Sequence, residues 1–100
     1  MNADEMEVTL IEVTIREDDL AEFLADTSDV ETACEQYRAE YERRLQEAYP
    51  DAEVSVEFGN PPGLTDRIYI EPVELQDDQQ PWVEDVANRM VNDWSWLTVA

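Results

Sequence analysis

Apolar and aromatic residues recur at Val30, Cys34, Tyr37, Tyr41, Leu45 and Ala48, in steps of four, three, four, four and three. That spacing is one stripe of an α-helix. Ser28 is placed to accept from the backbone N–H three residues on, and Glu31 to reach back to it, the pattern of a capping box. Pro50 closes the segment, because the residue before a proline disfavours helix. Residues 28–49 therefore predict a helix of about six turns, roughly 30 Å long. Its polar face carries Glu31, Glu35, Glu40, Glu42 and Glu47, with Arg38, Arg43 and Arg44 among them. Glu40 with Arg44 and Arg43 with Glu47 stand at i,i+4 spacing, so these cations have carboxylates of their own beside them.

Three stretches carry a different period. MEVTLIEVTIR, residues 6–16, is rich in β-branched residues and predicts a strand. Its apolar phase changes at Leu10–Ile11, as a bulge or a central strand buried on both faces would require. AEVSVEFG, residues 52–59, alternates Ala52, Val54, Val56 and Phe58 with Glu53, Ser55 and Glu57. RIYIEPV, residues 67–73, points Ile68 and Ile70 one way and Arg67, Tyr69 and Glu71 the other. The Asn-Pro-Pro-Gly loop between these two strands predicts a hairpin with a long connection. Asp18 to Leu24 predicts a short aspartate-capped helical turn. Glu74 to Gln80 reads as a polar linker, after which Pro81 opens a last helix with Val83, Val86, Ala87, Met90, Trp94 and Leu97 on its buried face.

The order is β-α-α-β-β-α, in a single domain covering residues 1–100 with residues 1–5 frayed. The expected fold is α+β: a small, three-stranded, mainly antiparallel sheet with the long helix and the C-terminal helix packed on one face. A chain of 100 residues with 43% hydrophobic content and nine aromatics has enough apolar surface for one such core.

Charge changes the picture. There are 26 Asp and Glu against six Arg, with no Lys and no His, for a net charge of −20. No apolar run approaches the length of a membrane span. The acidic N-terminus lacks the basic region of a secretory signal. The single cysteine, Cys34, falls on the apolar stripe without an intrachain partner, which fits a reducing cytoplasm.

Without histidine there is no Ser-His or Cys-His pair and no imidazole metal site. Two glycines cannot build a phosphate-cradling loop. Asp18–Asp19 and Asp77–Asp78 lack the alternating ligands and central glycine of a calcium loop and read as a helix cap and a solvated linker. The expectation is a non-catalytic protein with no cofactor and no metal.

What remains is the placement of negative charge. Glu53, Glu57 and Glu71 share the outer parity of their strands, with Glu12 a candidate neighbour on the first. Glu74, Asp77 and Asp78 extend the row, and Tyr69 and Trp96, where exposed, would add aromatic anchors. Twenty charges correspond to about 34 Å of duplex DNA at one per ~1.7 Å, roughly the diameter of a compact domain of this length. A surface so charged repels nucleic acid and anionic lipid and attracts basic grooves.

In length, charge, lack of catalytic residues and element order, the chain resembles the small acidic inhibitors carried by phages and plasmids: anti-CRISPR proteins and other DNA mimics. The resemblance spans the chain and rests on no motif, so it carries over no residue. It implies an inhibitor acting in the host-cell cytoplasm. Its partner would be a basic nucleic-acid-binding protein or ribonucleoprotein complex, such as a CRISPR effector or restriction enzyme. Two other readings fit the composition. An antitoxin or adaptor could dock its acidic face on a basic partner without copying DNA. Alternatively, the acidity and absent lysine could be adaptation to high internal salt. An uncovered sheet face or edge would also let two copies pair in a homodimer.

Overall fold

The structure, a computed structural model, describes residues 7–59, 61 and 66–97. Strand β1 (Leu10–Arg16) leads directly into helix α1 (Glu17–Phe23), followed by α2 (Val30–Ala48), β2 (Glu53–Gly59) and β3 (Arg67–Glu71). A 3-10 turn at Val73–Leu75 runs into α3 (Gln76–Asn92), and a second turn follows at Trp94–Trp96. The fold is α+β, in the predicted element order. Residues 1–5 lie outside the described residues.

The sheet is ordered β2-β1-β3. β1 pairs in parallel with β2 and antiparallel with β3, so the sheet is mixed. The expected hairpin between β2 and β3 is not formed, because β1 lies between them. Two features of the fold go with this order. The helical connection from β1 to β2 is long enough to return the chain for a parallel pairing, and the outer edge of β2 is engaged at Val56 by Arg38 and Glu42, while β3 takes the far edge of β1. The phase change at Leu10–Ile11 marks the strand's start: Val8 is buried before β1 begins, and within β1 the alternation is regular.

Ile11, Val13 and Ile15 of β1 face inward beside Val54, Val56 and Phe58 on one side and Ile70 and Ile68 on the other. Over this face lie Ala33, Cys34, Tyr37, Tyr41 and Leu45 of α2, Val83 and Met90 of α3, and Leu20 and Leu24 at α1. Burying each of the larger aliphatic side chains contributes about 1.5–3 kcal/mol. The buried stripe of α2 matches the predicted one except at its ends, where Val30 is half-buried and Ala48 is exposed. Tyr41 Oη donates to the Val83 carbonyl (3.2 Å), fastening α2 to α3. Burial lifts the Tyr41 hydroxyl well above its usual pKa and pushes that of Tyr37 up to about 12.

Both helix starts differ from expectation. α2 is capped by Asp29: its carboxylate accepts from the Thr32 backbone N–H (3.1 Å) and from Thr32 Oγ1 (2.7 Å). Thr32 thus gives Asp29 two bonds, one from its backbone N–H and one from its hydroxyl, and the cap falls one residue after the predicted Ser28. α1 has no side-chain cap; Glu17, Asp18 and Asp19 instead occupy its first turn, where the helix dipole favours them.

Residues 76–80 are not a linker. α3 begins at Gln76 and carries Pro81 inside it, at the loss of one helical hydrogen bond. The polar character of this turn has a structural cause. Gln76 Oε1 accepts from the Ile70 N–H (2.7 Å), and Gln76 Nε2 donates to the Ile68 carbonyl (2.9 Å). One side-chain amide thus mimics a fourth strand along the free edge of β3. The β2 edge is held similarly at Val56, whose carbonyl accepts from Arg38 (3.1 Å) and whose N–H donates to Glu42 (3.2 Å). Pairing of two copies through either edge would have to displace these side chains.

Gln76→Ala is expected to cost about 1 kcal/mol, since it strips partners from two half-buried edge groups. Urea unfolding checks this, and size-exclusion chromatography should reveal self-association through the freed edge. Unchanged stability together with a monomeric elution would contradict the edge-clamp role.

Candidate functional site

All three helices have their buried residues in one core, against the inner face of the sheet. The opposite face is left to the alternate residues of each strand. Register defines a small lattice there: Glu53, Leu10 and Glu71 in one row; Ser55, Glu12 and Tyr69 in the next; Glu57, Thr14 and Arg67 in a third. The four carboxylates predicted for this face, Glu12, Glu53, Glu57 and Glu71, are therefore on it together. Glu12 is their hub. Strand spacing and rise place it about 8 Å, along a diagonal, from each of the other three. Beyond the third row, a Cβ at Gly59 would come within 2.7 Å of Thr14 Cγ2, so the two strands approach closely there.

Each such carboxylate pair costs about 0.5 kcal/mol in water before salt screening. One local bond tempers this: Tyr69 Oη donates to Glu71 Oε1 (2.8 Å). That bond, and then desolvation and the charges of Glu71 and Glu12, raise the Tyr69 hydroxyl pKa. Tyr69 is 38% exposed and, with Glu12, Thr14 and Arg67, borders a shallow depression of about 300 Å³.

The helices treat their charge differently. Arg38 pairs with Glu35 (2.6 Å) and Glu42 (3.6 Å), and Arg43 with Glu40 (2.7 Å) and Glu47. Arg44 also reaches Glu40 (2.6 Å), while Arg89 pairs with Asp85 (2.8 Å) and Arg16 with Asp19 (2.7 Å). The expected Glu40–Arg44 and Arg43–Glu47 pairs are both present. Arg43 and Arg44 hold the Glu40 carboxyl down to about 2. Among the described residues, no ion pair lies on the outer sheet face. Five of the six arginines are paired on α2, on α3 and at the start of α1, and the sixth, Arg67, stands on the sheet face among the glutamates.

The other predicted contact residues are not part of this lattice. Glu74 sits in the turn after β3, and Asp77 and Asp78 in the first turn of α3; all three are exposed, at the edge where Gln76 ties helix to strand. Trp96 is only 8% exposed and cannot anchor a partner. Its indole N–H donates to the Met90 carbonyl (2.7 Å), and its ring meets Tyr37 edge-on and stacks on Trp94. Trp94, expected in the core, is instead on the surface beside Phe23 (5.2 Å between rings). The 3-10 turn at 94–96 breaks the helical phase by which Trp94 was placed inward. Trp82, at 62% exposure, is the most open of the three tryptophans.

Cys34 is buried, and desolvation followed by the charge of Glu17 raises its thiol pKa, the reverse of what a nucleophile requires. Asp18–Asp19 and Asp77–Asp78 lie on the first turns of α1 and α3, and no group of three or more potential metal ligands is clustered among the described residues. None of the described helices is long and apolar enough to cross a membrane. Comparison with family models, with curated proteins and with solved structures gives no match for this chain.

Asp66, just before β3, is a half-buried carboxylate whose pKa is raised. Desolvation is the main cause; the Arg16 backbone N–H donating to its Oδ1 (2.8 Å) opposes it, and Asp19 adds to it. The folded state therefore holds this proton more tightly than the unfolded chain. Stability falls as pH rises from the ordinary value of 3.8 through the raised one. Asp66→Asn keeps an acceptor for Arg16 and removes the charge. Its melting temperature is expected to exceed that of wild type at neutral pH, with the difference closing in acid. A lower melting temperature at neutral pH would contradict the assignment.

Proposed function

We propose that this protein is a non-catalytic acidic inhibitor that occupies the basic nucleic-acid-binding surface of a target, acting as a DNA mimic. Targets of the right chemistry are CRISPR effectors, restriction enzymes and other DNA-binding proteins. The observation that carries this reading is the sorting of charge. On α2 the carboxylates of Glu35, Glu40, Glu42 and Glu47 each have an arginine beside them, whereas among the described residues Glu12, Glu53, Glu57 and Glu71 share the outer sheet face with no ion pair. A fold bears mutual repulsion on one face more readily when that face meets a cationic surface, where each carboxylate gains a partner.

The shape refines the comparison with DNA. The principal extents are 52 × 28 × 19 Å, longer than a compact sphere. Spread along the long axis, the net charge of −20 gives one charge per about 2.6 Å, against ~1.7 Å for a duplex. That lower density favours a second reading, in which the same face docks on a basic protein surface as an adaptor or antitoxin, without tracing a phosphate backbone.

Replacing Glu53, Glu57 and Glu71 together by Gln is expected to weaken target binding by about tenfold or more while leaving the circular dichroism spectrum unchanged. Wild-type binding should fall steeply with added salt, and DNA or guide RNA should compete for the target. Full affinity in the triple variant would move the site to the helices. Competition by DNA supports mimicry, and a partner that DNA cannot displace supports the adaptor. A separate melting series tests whether the acidity is salt adaptation. The fold is expected to persist at low salt and to gain only about a few degrees from screening. Unfolding at low salt, with rescue by molar salt, would favour the halophilic account.

A further inference from the structure

Arg67 breaks the pattern set by the other arginines. Arg16, Arg38, Arg43, Arg44 and Arg89 all hold a carboxylate within 4 Å. Arg67 has no ion pair or hydrogen bond from its side chain among the described residues, although it shares its sheet face with four glutamates. In register it faces Thr14, with Glu57 on the far side of Thr14 and Glu12 one diagonal away. It is exposed and borders the same shallow depression as Glu12 and Tyr69. In a chain with 26 carboxylates and six arginines, a guanidinium beside glutamates with no ion pair among the described residues is a group left available. A purely nucleic-acid-like surface has no use for a cation there, because it would meet the partner's own cations.

The geometry points to Arg67 as a register pin for a protein partner. The docked element presents cations to Glu12, Glu53, Glu57 and Glu71, and a single Asp or Glu side chain to Arg67. The partner is thus a basic protein surface interrupted by one carboxylate. An Arg–carboxylate pair is directional and often bidentate, so it fixes orientation where a field of glutamates alone would let a cationic element slide. The same cation penalises any all-basic surface, so it selects among basic partners. This inference rests on the acidic-face reading proposed above and adds the partner's charge pattern to it.

The test is panning of a random displayed-peptide library on immobilised wild-type protein, on Arg67→Glu and on the E53Q/E57Q/E71Q variant, each checked for native circular dichroism. Wild type is expected to select basic peptides sharing one Asp or Glu at a fixed position. Those peptides should bind R67E about tenfold more weakly, although R67E is the more acidic protein. Changing the peptide's carboxylate to Lys should restore binding to R67E, closing a charge-swap cycle. If wild type and R67E select the same all-basic peptides, and R67E binds them more tightly, the pin is wrong while the acidic face stands. If the triple variant retains full peptide binding, or no basic peptide is selected, the acidic-face reading fails and the pin with it.

Discussion

Electrostatic self-repulsion is the constraint on which this structure turns. A chain with a net charge of −20 can pack helices against a sheet only if carboxylates are kept from accumulating unopposed where the layers and their borders meet. α2, the largest element over the core, meets this locally: Glu35, Glu40, Glu42 and Glu47 all contact Arg38, Arg43 or Arg44. Pairs this exposed contribute little individually, about 0–1 kcal/mol each. Their effect is to prevent repulsion that would otherwise grow with every added glutamate. With no lysine available, the six arginines are the only side-chain cations, and three of them are engaged on α2.

β1 links this electrostatic division to the packing. One side of the strand, Ile11, Val13 and Ile15, is the floor of the core, and the other, Leu10, Glu12 and Thr14, is the centre of the open face. Because β1 is central, its outward residues gain neighbours from both flanking strands, which brings Glu12 beside three other glutamates. The sheet edges are closed by Gln76 at β3 and by Arg38 and Glu42 at Val56. Capture of an added strand is thereby disfavoured, and side-chain contact on the open face becomes the available route to a partner.

Much of this was legible in the chain. The period of α2, the alternation of β2 and the parity of Arg67, Tyr69 and Glu71 predicted the elements and the face on which Glu12, Glu53, Glu57 and Glu71 meet. Those signals are local and follow from one residue's position relative to the next. What failed depended on contacts distant in sequence. The strand order turns on whether β3 takes the free edge of β1 or that of β2, which no alternation encodes. The first turn of α3 looked like a linker because Gln76 is polar, yet its amide is engaged with a strand six to eight residues upstream. Trp94 and Trp96 exchanged their expected places because the helix ends at Asn92 and a tighter turn resets the phase. The setting of Arg67 was also hidden: the sequence shows that it points outward but not that it has no ion pair among the described residues.

The proposed role as an acidic inhibitor joins these features: an α2 surface whose glutamates are paired with arginines, edges held by side chains, and a negative sheet face organised around Glu12. The most direct test is carbodiimide footprinting of the carboxylates, read by mass spectrometry, with the protein free and then bound to its partner. The account predicts that Glu12, Glu53, Glu57 and Glu71 lose reactivity in the complex while Glu22, Glu31 and Asp26 keep theirs. Protection confined to the helix carboxylates, with the sheet glutamates still fully reactive, would contradict it.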